Sequence, residues 1–79
     1  METETKNLSY FSRLASLQKH YAEGERLLKK NEEMWDQILE EESGNPIKLT
    51  LLADKIDSTR IMMRKLKEMI GEIKLILSN

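Results

Sequence analysis

Hydrophobic residues recur in two long runs, one on each side of Gly44-Asn45-Pro46, and each run keeps a seven-residue repeat. Alternating steps of three and four residues place such positions on one face of an α-helix. The pattern therefore predicts two long helices that fold back on each other. The seam positions, which we expect to face the other helix, are Tyr10, Leu14, Leu17, Tyr21, Gly24, Leu28, Asn31, Trp35, Ile38, Leu49, Leu52, Ile56, Thr59, Met63, Leu66, Ile70, Ile73 and Leu77.

Residues that favour helix starts and stops set the expected boundaries. Asn7 or Ser9 can accept hydrogen bonds from a first helical turn, so the first helix is predicted to cover about 8–42. The second helix is predicted to cover about 47–77, which leaves 43–46 as the turn. The first helix then has no proline in its interior.

The turn has the chemistry of a helix stop followed by a helix start. Gly44 suits the left-handed backbone position after a helix, because it has no β-carbon. Asn45 can cap the second helix, and Pro46 fits its first turn, where no amide donor is needed. The chain 1–79 is thus predicted to be one all-α domain. We expect a long antiparallel two-helix hairpin, similar to a coiled coil, that an oligomer or a partner completes.

The seam contains polar and small residues that the register brings together. In a hairpin, facing residues have numbers with a nearly constant sum, and by this rule Asn31 faces Thr59 and Gly24 faces Leu66. A polar pair in a seam can bind a ligand, but it more commonly stops the helices from sliding. We therefore assign Asn31 and Thr59 to setting the register, and Gly24 to making room for a large side chain.

One side of the seam is predicted to be lined by opposite charges. Glu25 should meet Lys67 across the hairpin, and Glu32 should meet Arg60. Exposed pairs of this kind contribute little to stability, but they favour one orientation and one register. We call this side the ion-paired flank.

The other side of the seam is mostly apolar, and nothing else in the chain is available to cover it. We call it the open flank and predict that it binds a partner. Its residues are His20, Leu27, Met34, Met62, Met69 and Ile76.

Two helices form a single seam, and a domain of this size commonly needs further support from disulfides, metals or association. The chain has no cysteine. Another protein surface is therefore the expected support. The open flank can close a symmetric homodimer into a four-helix bundle, or it can hold an amphipathic helix of a different protein.

Composition narrows the class further. The chain has 79 residues, a net charge of −1, 39% hydrophobic and 34% charged residues. Nucleic-acid binding would require a clear excess of Lys and Arg, so we expect none. The start Met1-Glu2-Thr3-Glu4 lacks the pattern of a secretory signal, and no stretch approaches the about 20 apolar residues of a membrane span. We expect a soluble cytoplasmic protein.

The sequence offers little for catalysis. The single histidine, His20, has Glu23 three residues later, but one such pair supplies too few ligands for a metal. There is no glycine-rich phosphate loop and no calcium loop. We therefore expect no enzyme, no metal and no cofactor, and we assign His20 to the protein-binding surface.

The order of elements resembles small helical-hairpin proteins of bacterial type III secretion. The likeness lies in the Gly-Asn-Pro turn followed by Ile47-Lys48-Leu49-Thr50-Leu51-Leu52-Ala53, and in the helix end Ile73-Lys74-Leu75-Ile76-Leu77. It covers roughly 25–77 in outline. Needle subunits are similar around the turn, and needle co-chaperones are similar in size, charge and hairpin form. The co-chaperone resemblance implies a cytoplasmic hairpin that joins a second chaperone and holds the needle subunit unpolymerised.

Two departures favour the co-chaperone over the needle subunit. Needle subunits generally begin with a polar flexible segment and carry modest charge, whereas this chain starts its repeat by Tyr10 and is one-third charged. We therefore expect a small chaperone or adaptor. A polymerising needle subunit and a generic homodimeric coiled coil are the alternatives.

Overall fold

The chain is a hairpin of two long helices. A computed structural model describes residues 2–41 and 44–78, with side chains from residue 7 onward. Helix α1 covers Glu2–Glu40 and helix α2 covers Pro46–Ser78, and the two pack against each other along a molecule of 64 × 15 × 14 Å. The predicted all-α two-helix hairpin is confirmed.

Helix α1 starts earlier than its capping residues suggest. It begins at Glu2 instead of near residue 8, and the two expected caps, Asn7 and Ser9, lie inside the helix. Residues 2–8 contain neither glycine nor proline, so nothing forces the helical backbone to stop. At its other end α1 stops at Glu40 and Glu41 forms a bend, while residues 42 and 43 lie outside the described residues.

The turn has the local chemistry predicted from its three residues. Gly44 adopts a φ of 46°, in the left-handed region. The Asn45 Oδ1 accepts hydrogen bonds from the backbone N–H groups of Ile47 at 3.1 Å and Lys48 at 3.2 Å. Pro46 is the first helical residue, and an N–H at this position would have no partner within the helix. The N–H that proline lacks therefore costs no hydrogen bond. The stop after α1, the cap of α2 and the first residue of α2 therefore occupy three consecutive positions.

Every predicted seam position is buried or half-buried, which confirms the seam. Its best-packed part lies near the turn, where Ile38, Leu52 and Ile56 form a cluster and Trp35 packs beside them. Even the most buried of these, Leu52, keeps 5% of its surface exposed. Two helices alone do not enclose a side chain completely.

Gly24 makes room for a different side chain from the one predicted. A β-carbon at this position would lie 2.9 Å from the Cγ of Met63 and 3.3 Å from its Sδ, whereas we had expected Leu66 to occupy this space. Leu66 instead lines a depression beside Gly24. Methionine is unbranched and has three rotatable bonds, so it fills the gap that the glycine leaves.

Candidate protein-binding surface

The open flank keeps a row of large apolar side chains in contact with solvent. All five of its apolar members are between 42% and 47% exposed, so each has one part packed against the hairpin and another part free for contact. They are Leu27, Met34, Met62, Met69 and Ile76. Methionine side chains adapt to different shapes, which suits a surface that receives another helix.

The two helices meet at the centre of the open flank. Leu27 from α1 and Met62 from α2 line one shallow depression, with Gly24 and Leu66 beside them. The absence of a side chain at Gly24 brings the helices close at this point. An apolar side chain of another helix can therefore contact α1 and α2 at once.

The polar layer of the seam borders the open flank. Asn31 and Thr59 are each 6% exposed, and both line a second depression together with Leu27 and Lys55. The Thr59 hydroxyl donates to the Lys55 carbonyl oxygen at 2.8 Å, within its own helix. Among the described side chains, no fully buried nitrogen or oxygen lacks a partner. The layer thus adds hydrogen-bonding groups to an otherwise apolar surface.

His20 lies at the edge of the apolar row. Its Nδ1 is 3.6 Å from the Oε2 of Glu23, and both side chains are more than half exposed. It also lines the central depression with Leu27 and Met62. Within residues 2–41 and 44–78, no group of three or more His, Cys, Asp or Glu residues is placed to hold a metal ion.

The ion-paired flank has a different character. The Arg60 Nη2 donates to the Glu32 Oε1 at 3.1 Å, across the hairpin. Glu25 and Lys67 line one depression on the same side, but they form no ion pair within 4.0 Å. One of the two predicted charge pairs is therefore formed, and the other is placed on the expected side without contact.

Apolar side chains are exposed on the ion-paired flank as well, but they lie at its ends. Leu39 is near the turn and Phe11 is near the opposite end, and each is 55% exposed. The charged residues Glu32 and Arg60 lie between them along the hairpin. The two flanks therefore differ most at their centres, where one is apolar and the other is charged.

Two exposed apolar residues on α2 were not predicted. Ile61 and Leu75 are 54% and 65% exposed and precede Met62 and Ile76 in the sequence. They lie on the outer face of α2, opposite the seam. Their spacing of two heptads is the signal that would have identified them, since apolar residues at an outer heptad position are unusual on a solvated helix.

No protein family, curated protein or solved structure that we compared matches this chain. No helix within the described ranges is both long and apolar enough to cross a membrane.

Proposed function

We propose that this chain is a non-catalytic protein-binding hairpin that holds helices of another protein chain along its open flank. The observation that carries the proposal is the row of half-exposed apolar side chains along this flank, with Leu27 and Met62 side by side at its centre. The corresponding part of the ion-paired flank carries Glu32 and Arg60. Exposed apolar patches of this kind mark interaction sites on small soluble proteins.

The hairpin has little core of its own, which also supports association. Its seam side chains remain partly accessible to solvent, and neither a disulfide nor a metal site supports the described residues. Burying the open flank against another helix would remove more apolar surface from water, at about 25 cal/mol for each Å². Binding and stable folding are then coupled through the same surface.

We further propose a chaperone or adaptor role like that of the needle co-chaperones of type III secretion. Its support is the resemblance in turn sequence, size, charge and hairpin form, together with a surface suited to an amphipathic helix. In this role the chain would act in the cytoplasm and cover an apolar helix that otherwise self-associates.

Co-purification from the native cell tests the proposal. The tagged full chain is compared with Met69→Glu on the open flank and with Leu39→Glu, a matched apolar-to-acidic change on the ion-paired flank. Both positions are exposed, at 44% and 55%. We expect a helical protein to co-purify in a fixed ratio with the unchanged chain and with Leu39→Glu, and to be lost with Met69→Glu.

Equal recovery of that protein with all three chains would contradict the use of the open flank. Fibres formed by the purified chain alone would contradict the chaperone role and favour a needle subunit, because a filament needs head-to-tail contacts that do not close. Circular dichroism of each variant shows whether its helices are retained.

A further inference from the structure

We infer that a second copy of this chain covers the open flank, packed side by side about a two-fold axis parallel to the long axis of the hairpin. In this side-by-side arrangement, α1 of each copy lies against α2 of the other, and both turns are at the same end. The inference rests on the proposed function, because it names the chain that covers the same surface until a helix of another protein displaces it. The result is a four-helix bundle.

Contacts within one hairpin show which residues of α1 and α2 lie at the same height. Gly24 lies against Met63, and Glu32 bonds to Arg60 across the hairpin. Leu27 and Met62 lie between these two contacts and line one depression, so we place them at the same height. Both helices advance about 1.5 Å per residue. The heights of other residues on the open flank therefore follow by counting from Leu27 and Met62.

The charges at the rim of the open flank complement each other in the side-by-side arrangement. Glu23 of one copy lies opposite Lys65 of the other, and Glu41 lies opposite Lys48, with each pair formed twice by symmetry. All four residues are exposed in the single hairpin. No two like charges are directly opposed. Charges at a rim contribute more to orientation than to affinity, so they select this arrangement over others.

The residues at the centre of the open flank are also complementary between the two copies in the side-by-side arrangement. Leu27 of one copy meets Met62 of the other, so apolar side chains face each other at the middle of the interface. Asn31 and Thr59 of both copies lie at one height, so polar groups meet polar groups there. The two depressions that these residues line would be filled by the equivalent residues of the second copy.

A crossed arrangement, with the two-fold axis perpendicular to the hairpin, fits less well. If it is centred on the apolar row, it places Glu23 against Glu23 and Lys65 against Lys65 of the other copy. It also brings Asn31 to the height of Leu17 and Ile73, where its amide meets buried apolar groups. Like charges and an unmatched polar group both weaken such an interface.

Cross-linking of engineered cysteines tests the inference, because the chain has none of its own. Full-length Glu23→Cys and Lys65→Cys variants, one enlarged by a tag, are unfolded together, refolded and treated with a short bifunctional thiol reagent. The mixed product joins one Glu23→Cys chain to one Lys65→Cys chain, and each self-linked product joins two identical variants. We expect the mixed product to exceed each self-linked product by more than random pairing of the chains would give. An Asp57→Cys variant, whose exposed position is on the ion-paired flank, serves as the control and should give little product.

Two results would overturn the inference in different ways. Self-linked products in excess of the mixed one would show the crossed arrangement. Products at the level of the Asp57→Cys control would show that a second copy does not cover the open flank. After that second result, the proposed function would still stand if a helical protein co-purified with the unchanged chain and was lost with Met69→Glu. It would fail as well if the unchanged chain and Met69→Glu recovered that protein equally.

Discussion

A β-carbon added to Gly24 would lie 2.9 Å from the Cγ of Met63, so α1 and α2 approach each other here more closely than another residue allows without a shift. Gly24→Ala gains up to about 1 kcal/mol in helix propensity. Displacing a packed side chain costs about 1–3 kcal/mol. We expect a net loss of about 1 kcal/mol in the free energy of unfolding, measured by denaturation at one fixed protein concentration.

Gly71 provides the matched control for this substitution. A β-carbon there meets nothing within 4 Å, and the residue lies inside α2. Gly71→Ala should therefore raise the free energy of unfolding by about 0.5–1 kcal/mol. The same gain in the free energy of unfolding for Gly24→Ala would show that α1 does not approach Met63 as closely as described.

The cap at Asn45 should be worth about 1 kcal/mol, because its side chain accepts hydrogen bonds from Ile47 and Lys48. Asn45→Ala removes the acceptor, whereas Asn45→Asp keeps an oxygen in the same place. We expect thermal or chemical denaturation to show a clear loss for alanine and little change for aspartate. Equal losses would indicate that the hydrogen bonds to this side chain do not stabilise α2.

The ion pair between Glu32 and Arg60 should contribute only about 0–1 kcal/mol, because the two side chains are 49% and 56% exposed. A double-mutant cycle with Glu32→Gln and Arg60→Gln measures this coupling. We expect it to fall further at about 1 M salt, where exposed charges are screened. A large coupling that resists salt would contradict a role limited to orientation.

Asn31 should restrict the ways in which the helices pack. Asn31→Leu replaces a side chain that is 6% exposed with an apolar one, and we expect the free energy of unfolding to rise by about 1 kcal/mol. The variant should instead lose the specificity of its helix packing. We expect native mass spectrometry to show several oligomeric species for Asn31→Leu and one for the unchanged chain.

Thr59→Val is the milder change. The Thr59 hydroxyl bonds to the Lys55 carbonyl within its own helix, so we expect Thr59 to contribute less to the register than Asn31 does. Thr59→Val should leave a single species. If Asn31→Leu also left a single species, Asn31 would not set the register.

The sequence predicts the seam and the turn well because their signals are local and repeated. Every seam position carries its own part of the heptad pattern, and Gly44, Asn45 and Pro46 each satisfy a separate backbone requirement. The start of α1 was predicted wrongly because a favourable cap at Asn7 or Ser9 is worth about 1 kcal/mol, which does not end a helix that can continue.

Details that depend on side-chain conformation could not be predicted in this way. The hairpin register gives the height of a residue, but the contact of Met63 with Gly24 depends on three rotatable bonds. Ile61 and Leu75 were missed because they lie on the outer face of α2, beyond the positions that flank the seam. The open flank itself followed from the register, since its members occupy equivalent heptad positions on the two helices.

Sedimentation equilibrium of the unchanged chain, Met62→Glu and Arg60→Glu tests most directly whether the open flank binds a second copy of the chain. Met62 is 46% exposed on the open flank, and Arg60 lies on the ion-paired flank at a similar distance from the turn. We predict that the unchanged chain and Arg60→Glu associate, and that Met62→Glu remains monomeric at the same concentrations. Equal association of all three chains, or equal loss in both variants, would contradict the assignment of binding to the open flank.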